Sequence, residues 1–562
     1  MKKLRWQILV VILTLVVVGL LVVRQSPTSA VILPQPTSGG IYTEGIVGTF
    51  GRLNPLFDLN NLADKDIDRL IFSGLFNFDS KGVPQPDLAE SWGVSLDGTI
   101  YNITIRPNAV WHDGEPVTSE DILFTLSLIR NQISAFPEDV RSMWDQVKVT
   151  ALDNKTLRFE LTEPFAPFMD YLEFGILPKH VLESIPVDQL MTADFNLQPI
   201  GSGPYRVDSL MTDNGQVTGV VLKVFPDYYG QKPYIDQVAF QFYSNAQSAL
   251  VAYQQGEVIG INQVPLEILD AALAEPNLSI YSSRSPKLSL VMFNLQNTDV
   301  AFLQDKEIRR ALMLGLNRQW MVDHTLKGQA ILADSPILPG NWAYYEGIQK
   351  YGFDLNEAVS IFKNSGYVLT SDGNGIRVKD NIALSFTMLY PDDEVHASIA
   401  KAIQNDWRNL GVNVELQAVS YENLLNDYLV PRNYQAALVD LDFSNTHDPD
   451  PYPFWHQAEA TGGQNYSQWD NRPASEYIEQ ARVIVDTSFR AKLYRNFQIL
   501  FAKELPALPL YYPVFTFGVD NQVSGIQVAP LYEISERFNG ISDWYLVTRR
   551  AIENVQPATN QP

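Results

Sequence analysis

The sequence predicts an α/β protein with mixed sheets, because strand and helix patterns alternate along the chain and no repeat of fixed period is visible. The stretch 86–129 shows this alternation of strand and helix patterns most clearly. Apolar residues alternate with polar ones over 99–106, which is the period of a half-buried strand. Thr118, with Asp121 three residues later, is the capping-box pattern that opens a helix. Strand, turn and helix therefore follow one another in this stretch.

The second half of the chain predicts three helices and an intervening strand. Asp354 and Glu357 indicate the start of the first helix, and Gly366 its end. Alternation over 412–418 predicts the strand. Apolar residues at helical spacing predict the core faces of the other two helices: Ile399, Ile403 and Trp407 in one, and Phe489, Leu493, Phe497 and Leu500 in the other.

Length and composition narrow the possible functions. At 562 residues the chain is too long for one ordinary core and predicts two or three lobes. A net charge of -23, from 64 acidic and 41 basic residues, argues against a nucleic-acid partner, whose phosphates need a basic surface. The absence of cysteine excludes disulfides, thiol catalysis, cysteine metal sites and a lipid-bearing cysteine.

The N-terminus predicts export from the cytoplasm. Basic residues at 2, 3 and 5 precede an apolar run over 8–23. The run favours a retained membrane anchor, and cleavage near the small residues 28–30 is the alternative. Residues 24–40, rich in Pro, Ser, Thr and Gly, predict a flexible linker, so that 1–39 is anchor and linker. In either case the body of the protein lies outside the cytoplasm.

No catalytic motif stands out. The six histidines show no HExxH spacing, and the sequence has no GxSxG elbow, no Walker loop and no GxGxxG motif between a strand and a helix. We therefore predict no enzyme activity, no cofactor, no catalytic residue and no resident metal.

Several motifs occur together in one order. The stretch 86–122 resembles the signature of the bacterial extracellular solute-binding proteins of family five, the oligopeptide- and dipeptide-binding components of ABC importers. Further segments of this chain resemble other elements of that family, in the family's order. They are Leu53-Asn54-Pro55, Phe72-Ser73-Gly74-Leu75, Gly201-Ser202-Gly203-Pro204-Tyr205, Phe293-Asn294, Ile308-Arg309-Arg310-Ala311-Leu312, Asn317-Arg318 and Ser335-Pro336 to Pro339-Gly340. The resemblance covers about 42–547.

The resemblance implies an arrangement that periodicity alone could not give. It is a bilobal, periplasmic-binding-protein-like fold with mixed sheets, an extra domain in the first lobe and a ligand cleft between the lobes. By analogy, lobe I combines 40–75, 196–288 and 508–550, the extra domain is 76–195, lobe II is 289–507, and 551–562 is a polar tail.

The segment 437–455 is the most plausible ligand-facing stretch, because an apolar strand ends there in acidic and small polar residues before three prolines. A surface turn is the alternative. The resemblance implies that this strand end pairs with the ligand backbone and that an aspartate holds the ligand's α-ammonium. Asn445 stands where that aspartate is expected, so either Asp442 or Asp448 takes the role, or the ligand lacks a free amine. Phe443 and Ser444 complete the predicted site in this segment.

Four further candidates lie on other segments. The resemblance implies ligand contacts from the first strand and from the return strand, where Tyr42, Glu44 and Tyr512 stand. Trp469 lies in a loop that could face the cleft and supply tolerant aromatic contact area. Ordinary packing is the alternative for each.

These observations predict an extracytoplasmic monomer that captures oligopeptides and delivers them to the transmembrane subunits of an ABC permease, tethered through its N-terminal anchor. The alternatives are a receptor for an oligosaccharide or a metal chelate, a secreted hydrolase on the same fold, and a sensory or chaperone-like module that works without a permease.

Overall fold

The fold is that of a computed structural model, which describes residues 6, 11–18, 30–369, 375–444 and 446–554. Residues 11–18 are helical. Over the described residues, no helix combines the length and the apolar character that a membrane span requires. Half of the predicted anchor, 8–23, lies outside the described residues, as do most of the predicted polar tail and part of the linker.

The described strands follow one another along the whole chain. In order they are β1 Ala30–Thr37, β2 Ile41–Val47, β3 Phe76–Phe78, β4 Pro84–Pro86, β5 Ala89–Val94, β6 Ile100–Ile105, β7 Lys148–Asp153, β8 Thr156–Glu160, β9 Tyr205–Asp213, β10 Gln216–Val224, β11 Gln237–Tyr243, β12 Gly260–Ile261, β13 Leu278–Arg284, β14 Lys287–Phe293, β15 Ala330–Leu332, β16 Val368–Leu369, β17 Arg377–Lys379, β18 Ile382–Ala383, β19 Ser385–Pro391, β20 Asn413–Val419, β21 Ala436–Asp442, β22 Ala507–Asp520 and β23 Val547–Asn554.

Helices alternate with these strands. The described α-helices are Leu62–Ile71, Ser119–Ile129, Glu138–Gln146, Lys179–Leu182, Ala246–Gln255, Leu269–Leu273, Lys306–Leu314, Arg318–Trp320, Leu355–Asn364, Glu394–Asn409, Tyr421–Asn423, Tyr452–Trp455, Arg472–Val483 and Thr487–Glu504. Short 3-10 or π turns are Ala166–Leu172, Val187–Thr192, Asp194–Asn196, Thr298–Gln304, Met321–Thr325, Leu424–Leu429, Gln457–Ala460, Ile534–Phe538 and Ile541–Asp543.

The largest sheet is mixed and runs β20-β19-β21-β14-β22-β12-β2-β11-β10-β9, with β13 and β15 also paired to β22. The long strand β22 crosses it. Its first part pairs antiparallel with β14, through Met292 opposite Ala507, and its last part pairs with β13, through Leu278 opposite Asp520. The smaller sheets are β5-β6-β8-β7, β16-β17-β18, β3-β4 and β1-β23.

Two large hydrophobic cores lie on either side of this crossing. We call the cluster from residues 42–240 and 517–544 the first core, and the cluster from 288–512, joined by Tyr532, the second core. A smaller cluster from 246–278 lies apart from both. The chain passes between the cores at the β13–β14 connection and again along β22. The exact lobe boundaries given by the sequence stay a prediction.

The predicted local elements are confirmed. The strand over 99–106 is β6, and the helix Ser119–Ile129 begins with a capping box between Thr118 and Asp121. The helices Leu355–Asn364, Glu394–Asn409 and Thr487–Glu504 stand where the apolar spacing predicts them. One predicted core position differs, because Phe489 lies in the first turn of its helix and is 46% exposed.

The predicted linker and tail differ from the structure at both ends of the chain. Residues of the predicted flexible linker form β1, which pairs antiparallel with β23 from Ala30 opposite Asn554 to Thr37 opposite Val547. The last residues of β23 fall within the predicted polar tail. Continuous backbone pairing satisfies the amide groups that a flexible linker would leave to water.

Candidate functional site

A cavity of about 540 Å³ lies between the two cores. One wall comes from the first core, around the helix Leu62–Ile71, the segment 136–144 and the segment 165–175. The opposite wall comes from the segment 442–454, with Gln464 and Arg482. Cavities of this size between two structural units are where small ligands bind most often.

The helix Leu62–Ile71 is held firmly at both ends. At its start, the Asn61 side chain accepts hydrogen bonds from the backbone N–H groups of Ala63 and Asp64. At its end, the Gly203 N–H donates to the Ile71 carbonyl at 2.8 Å. A Cβ at Gly201 would lie 2.0 Å from the same carbonyl oxygen, so only glycine permits this approach. The helix is therefore a rigid support for the side chains that it presents to the cavity.

Acidic side chains dominate the cavity wall. Nine carboxylates line it, namely Asp58, Asp68, Asp87, Asp139, Asp170, Glu173, Asp442, Asp450 and Glu533, against the three cations Lys65, Arg69 and Arg482.

Each of these cations already lies beside a cavity acid. Lys65 contacts Glu533 at 2.5 Å, Arg69 contacts Glu173 at 2.8 Å, and Arg482 contacts Asp450 at 2.7 Å. The cavity therefore holds more carboxyl groups than cations, and those that are ionised favour a positively charged ligand.

Burial changes the protonation of several of these acids. It raises the pKa of Asp58 to about 7, of Asp87 to about 6 and of Asp170 to about 8, the last with help from the charge of Asp448. Burial and the charge of Asp58 raise the pKa of Asp68 well above its usual range. Some of these groups therefore hold a proton near neutral pH, which lowers the cost of burying so many acids.

Aromatic side chains form much of the remaining wall. They are Phe72, Phe136, Trp144, Phe165, Tyr171, Phe174, Tyr228, Phe443, Phe454 and Phe538. Rings offer large, rigid contact areas to apolar groups of varied shape. The cavity thus combines an acidic electrostatic field with apolar surface, and this combination fits an amphipathic cation.

His447 connects the two walls just outside the cavity lining. Its ring stacks on Phe78, with centroids 3.9 Å apart, and its Nε2 lies 2.7 Å from Oε1 of Glu536. Its Nδ1 lies 3.4 Å from Oε2 of Glu173. Burial alone would lower the pKa of His447, but the charges of Glu173 and Glu536 raise it to about 9.

The same three side chains could supply one metal-ligand atom each, and these atoms lie within 4.8 Å of one another. However, Arg69 contacts Glu173 at 2.8 Å and Glu536 at 3.9 Å. A guanidinium at this position competes with a cation for both carboxylates. We therefore interpret Glu173, His447 and Glu536 as an ion-pair network.

Three predicted site residues line the cavity together, namely Asp442, Phe443 and Ser444. The Asp442 side chain is 48% exposed and lies 3.5 Å from the Lys287 ammonium. The Ser444 N–H donates to Asp442 Oδ1 at 2.8 Å, which fixes the carboxylate at the end of β21. Asn445 lies outside the described residues.

Tyr42, Glu44 and Tyr512 lie behind the cavity wall. The Tyr42 hydroxyl donates to Glu44, and Glu44 pairs with Arg537 at 2.5 Å. The Tyr512 hydroxyl donates to the Ser335 carbonyl at 2.6 Å. All three predicted residues are buried, with their polar atoms engaged inside the protein. Their predicted contacts with a ligand stay a prediction.

Asp448 and Trp469 are also buried. Asp448 makes two contacts of 2.7 Å with the guanidinium of Arg490. Trp469 packs edge-on against Phe501, with centroids 6.1 Å apart. Neither lines the cavity, and their ligand roles also stay a prediction.

Sequence reasoning missed the acids of the first wall, among them Asp58, Asp68, Asp87, Asp170 and Glu173. The only available signal was the density of charge in 58–69, including three aspartates on a helix that is mostly buried. Charged residues are rarely buried without a partner, but the sequence does not show which of them are buried.

This arrangement defines a binding protein whose ligand cavity lies between two α/β cores. The model of the family described as bacterial extracellular solute-binding proteins, family 5 Middle, matches residues 83–464. The chain belongs to this family, which the resemblance of its motifs predicted. The predicted periplasmic-binding-protein-like fold is likewise confirmed.

Known relatives match along most of the chain. The oligopeptide-binding protein AppA of Bacillus subtilis is 27% identical over 519 residues, which cover 91% of this chain and 92% of the relative. The structure of AppA from Bacillus subtilis with a nonapeptide has 26% identity and a TM-score of 0.66, covering 91% of this chain and 100% of that one. NikZ from Campylobacter jejuni with Ni(L-His) shares the fold at 24% identity and a TM-score of 0.67, covering 90% and 99%.

Proposed function

We propose that this protein is an extracytoplasmic receptor that captures oligopeptides in the cavity between its two cores and delivers them to the transmembrane subunits of an ABC importer. The observation that carries the proposal is the acidic, aromatic-walled cavity between the cores, with Asp442, Phe443 and Ser444 in its wall. The peptide-binding relatives named above support the ligand class.

The end of β21 suits the recognition of a peptide backbone. Asp442 ends this strand at the cavity, and its carboxylate is accessible to a ligand. Asp448 is instead engaged by the buried guanidinium of Arg490. We therefore assign the binding of the ligand's α-ammonium to Asp442. The aromatic side chains of both walls then accept varied ligand side chains, with ordered water filling the remaining space.

The two chain crossings supply the hinge. The cores are joined through the β13–β14 connection and through β22, and short connections of this kind allow two units to rotate around a bound ligand. A ligand shifts the equilibrium between open and closed forms only by its preference for the closed form. The closed receptor is the form that the permease recognises, and the predicted N-terminal anchor keeps it at the membrane.

The test is mass spectrometry of the small molecules released when the purified protein is denatured. We expect a mixture of short peptides, because a closed cavity retains cargo from the expression host. Recovery of a sugar or a metal chelate, or of nothing in repeated preparations, would overturn the peptide assignment.

A cationic metal chelate is the second candidate ligand. The excess of carboxylates over cations in the cavity favours any compact positive ligand, and NikZ, with a related fold, is known with a nickel complex. Elemental analysis for metals on the same released fraction separates this candidate from the first.

A further inference from the structure

Asp68 is an unusual residue for a helix that packs on the first core. It lines the cavity, is only 3% exposed, and neither of its carboxylate oxygens makes a hydrogen bond of standard geometry within the described part of the chain. Its polar neighbours are the Asn54 backbone and the Asp58 carboxyl. Buried polar groups almost always have a partner, so this carboxyl calls for an explanation.

Asp58 lies beside it and faces the same cavity. It is 6% exposed, and burial raises its pKa to about 7 although the charge of Lys65 acts in the opposite direction. Lys65 also contacts Glu533 at 2.5 Å, so one ammonium acts on two carboxyl groups, those of Asp58 and Glu533, at this end of the cavity.

The neighbouring Asp64 is in a different situation, because it is satisfied by the backbone. Its carboxylate accepts the N–H groups of Gly51 at 3.0 Å and Arg52 at 2.8 Å. Asp66 has one unpaired carboxylate oxygen, but its other oxygen contacts Arg537 and it does not line the cavity. Asp68 lines the cavity with both oxygens unpaired among the described residues.

We propose that Asp58 and Asp68 form a subsite for a positively charged group of the ligand, an ammonium or a guanidinium, so that the preferred ligands are cationic. This proposal rests on the proposed function, since it concerns the same cavity. A guanidinium suits the subsite well, because its fork of N–H donors can serve two carboxylates at once.

The subsite is separate from Asp442, which belongs to the opposite wall. A ligand with an α-ammonium and a basic side chain places one positive group on each wall, and this bridging favours closure. When the cation binds, the proton that burial holds on the Asp58–Asp68 pair leaves to solvent. Binding of a cationic ligand is therefore coupled to proton release.

The experiment is isothermal titration calorimetry on the full-length protein in detergent, after bound cargo has been removed. The probes are the pentapeptides Ala-Ala-Arg-Ala-Ala and Ala-Ala-Gln-Ala-Ala, together with free arginine and spermidine. The variants are Asp68→Asn and Asp58→Asn, which keep the side-chain shape and remove the ionisable group. Asp188→Asn, an exposed acid outside the cavity lining, is the matched control.

We expect the wild type and Asp188→Asn to bind the Arg peptide at least about tenfold more tightly than the Gln peptide, and the two Asn variants to reduce that ratio to about twofold. We also expect the heat of Arg-peptide binding to depend on the ionisation enthalpy of the buffer, because protons are released. Thermal denaturation of each variant confirms that it is folded.

Each result distinguishes the subsite from the peptide function. Equal wild-type affinity for the two peptides overturns the subsite and leaves the peptide function standing. If neither peptide binds but arginine or spermidine binds in an Asp68-dependent way, the peptide function fails and the subsite stands. If no probe binds, both fail. A tenfold preference that survives in both Asn variants overturns the assignment to Asp58 and Asp68.

Discussion

The Nε2 atom of His447 lies 2.7 Å from Oε1 of Glu536. This contact joins the loop after β21 to the short helical turn Ile534–Phe538 near the C-terminus. The histidine ring is fully buried, between the stacked ring of Phe78 and the tilted ring of Tyr532. Because the charges of Glu173 and Glu536 raise the pKa of His447 to about 9, the stability that this contact contributes depends on pH.

The first prediction concerns the pH dependence of stability. The pKa of His447 is about 9 in the folded state and about 6.5 unfolded, so its contribution is complete below pH 6.5 and is lost as the pH rises through 9. The shift corresponds to about 3 kcal/mol. His447→Gln should remove this part of the decline in the free energy of unfolding, measured by urea denaturation from pH 6 to 10. The variant His180→Gln, at an exposed histidine, should show the same decline in the free energy of unfolding as the wild type. If this free energy falls equally with pH in the wild type and in His447→Gln, His447 is not the group responsible.

The second prediction concerns the buried guanidinium of Arg537, which contacts Glu44 and Asp66 at 2.5 Å each. Arg537→Met leaves two buried carboxylates without their cation and should lower the free energy of unfolding by about 3 to 5 kcal/mol. Arg472→Met removes an exposed pair and should cost less than about 1 kcal/mol. Urea denaturation of both variants checks this. Similar losses in the free energy of unfolding would show that the buried network contributes no more stability than an exposed ion pair.

The third prediction separates Asp442 from Asp448. Asp442→Asn should weaken peptide binding about tenfold or more with little change in melting temperature, because this carboxylate is half exposed in the cavity wall. Asp448→Asn should lower the melting temperature, because it removes the partner of buried Arg490, and should leave the affinity of the folded protein almost unchanged. Calorimetric titration and thermal denaturation give the two readouts. The reverse pattern would assign the ammonium to Asp448.

The fourth prediction concerns the cost of burying Asp58. Its pKa of about 7 exceeds its usual value of about 3.9, so it destabilises the folded state progressively as the pH rises from 4 to 7. Asp58→Asn should therefore raise the melting temperature at pH 7 more than at pH 4. Calorimetric melting curves at the two pH values check this. A gain of the same size at both would show that burial does not penalise the charge.

The sequence predicts features that are encoded locally. The capping box at Thr118 and Asp121, for example, follows from four adjacent residues. The abrupt end of an apolar strand likewise predicts Asp442, Phe443 and Ser444 as ligand-facing residues, and all three line the cavity, while their contact with a ligand stays a prediction.

The rest of the site depends on contacts between distant segments. Tyr42 and Glu44 are two residues apart on β2 and therefore share a face of the strand. Glu44 pairs with Arg537, which lies near the other end of the chain, and neither Tyr42 nor Glu44 lines the cavity. The sequence of β2 alone does not show this. Asp58 and Asp170 likewise meet at one cavity through tertiary packing. No periodicity relates such residues.

The central claim is that the cavity between the two cores binds peptides, and a crystal structure of the protein with its released cargo added back tests it most directly. The account predicts density for an extended peptide between the two walls, with its α-ammonium at Asp442 and a basic side chain towards Asp58 and Asp68. Peptide bound elsewhere on the surface, with the cavity filled by solvent, would contradict it.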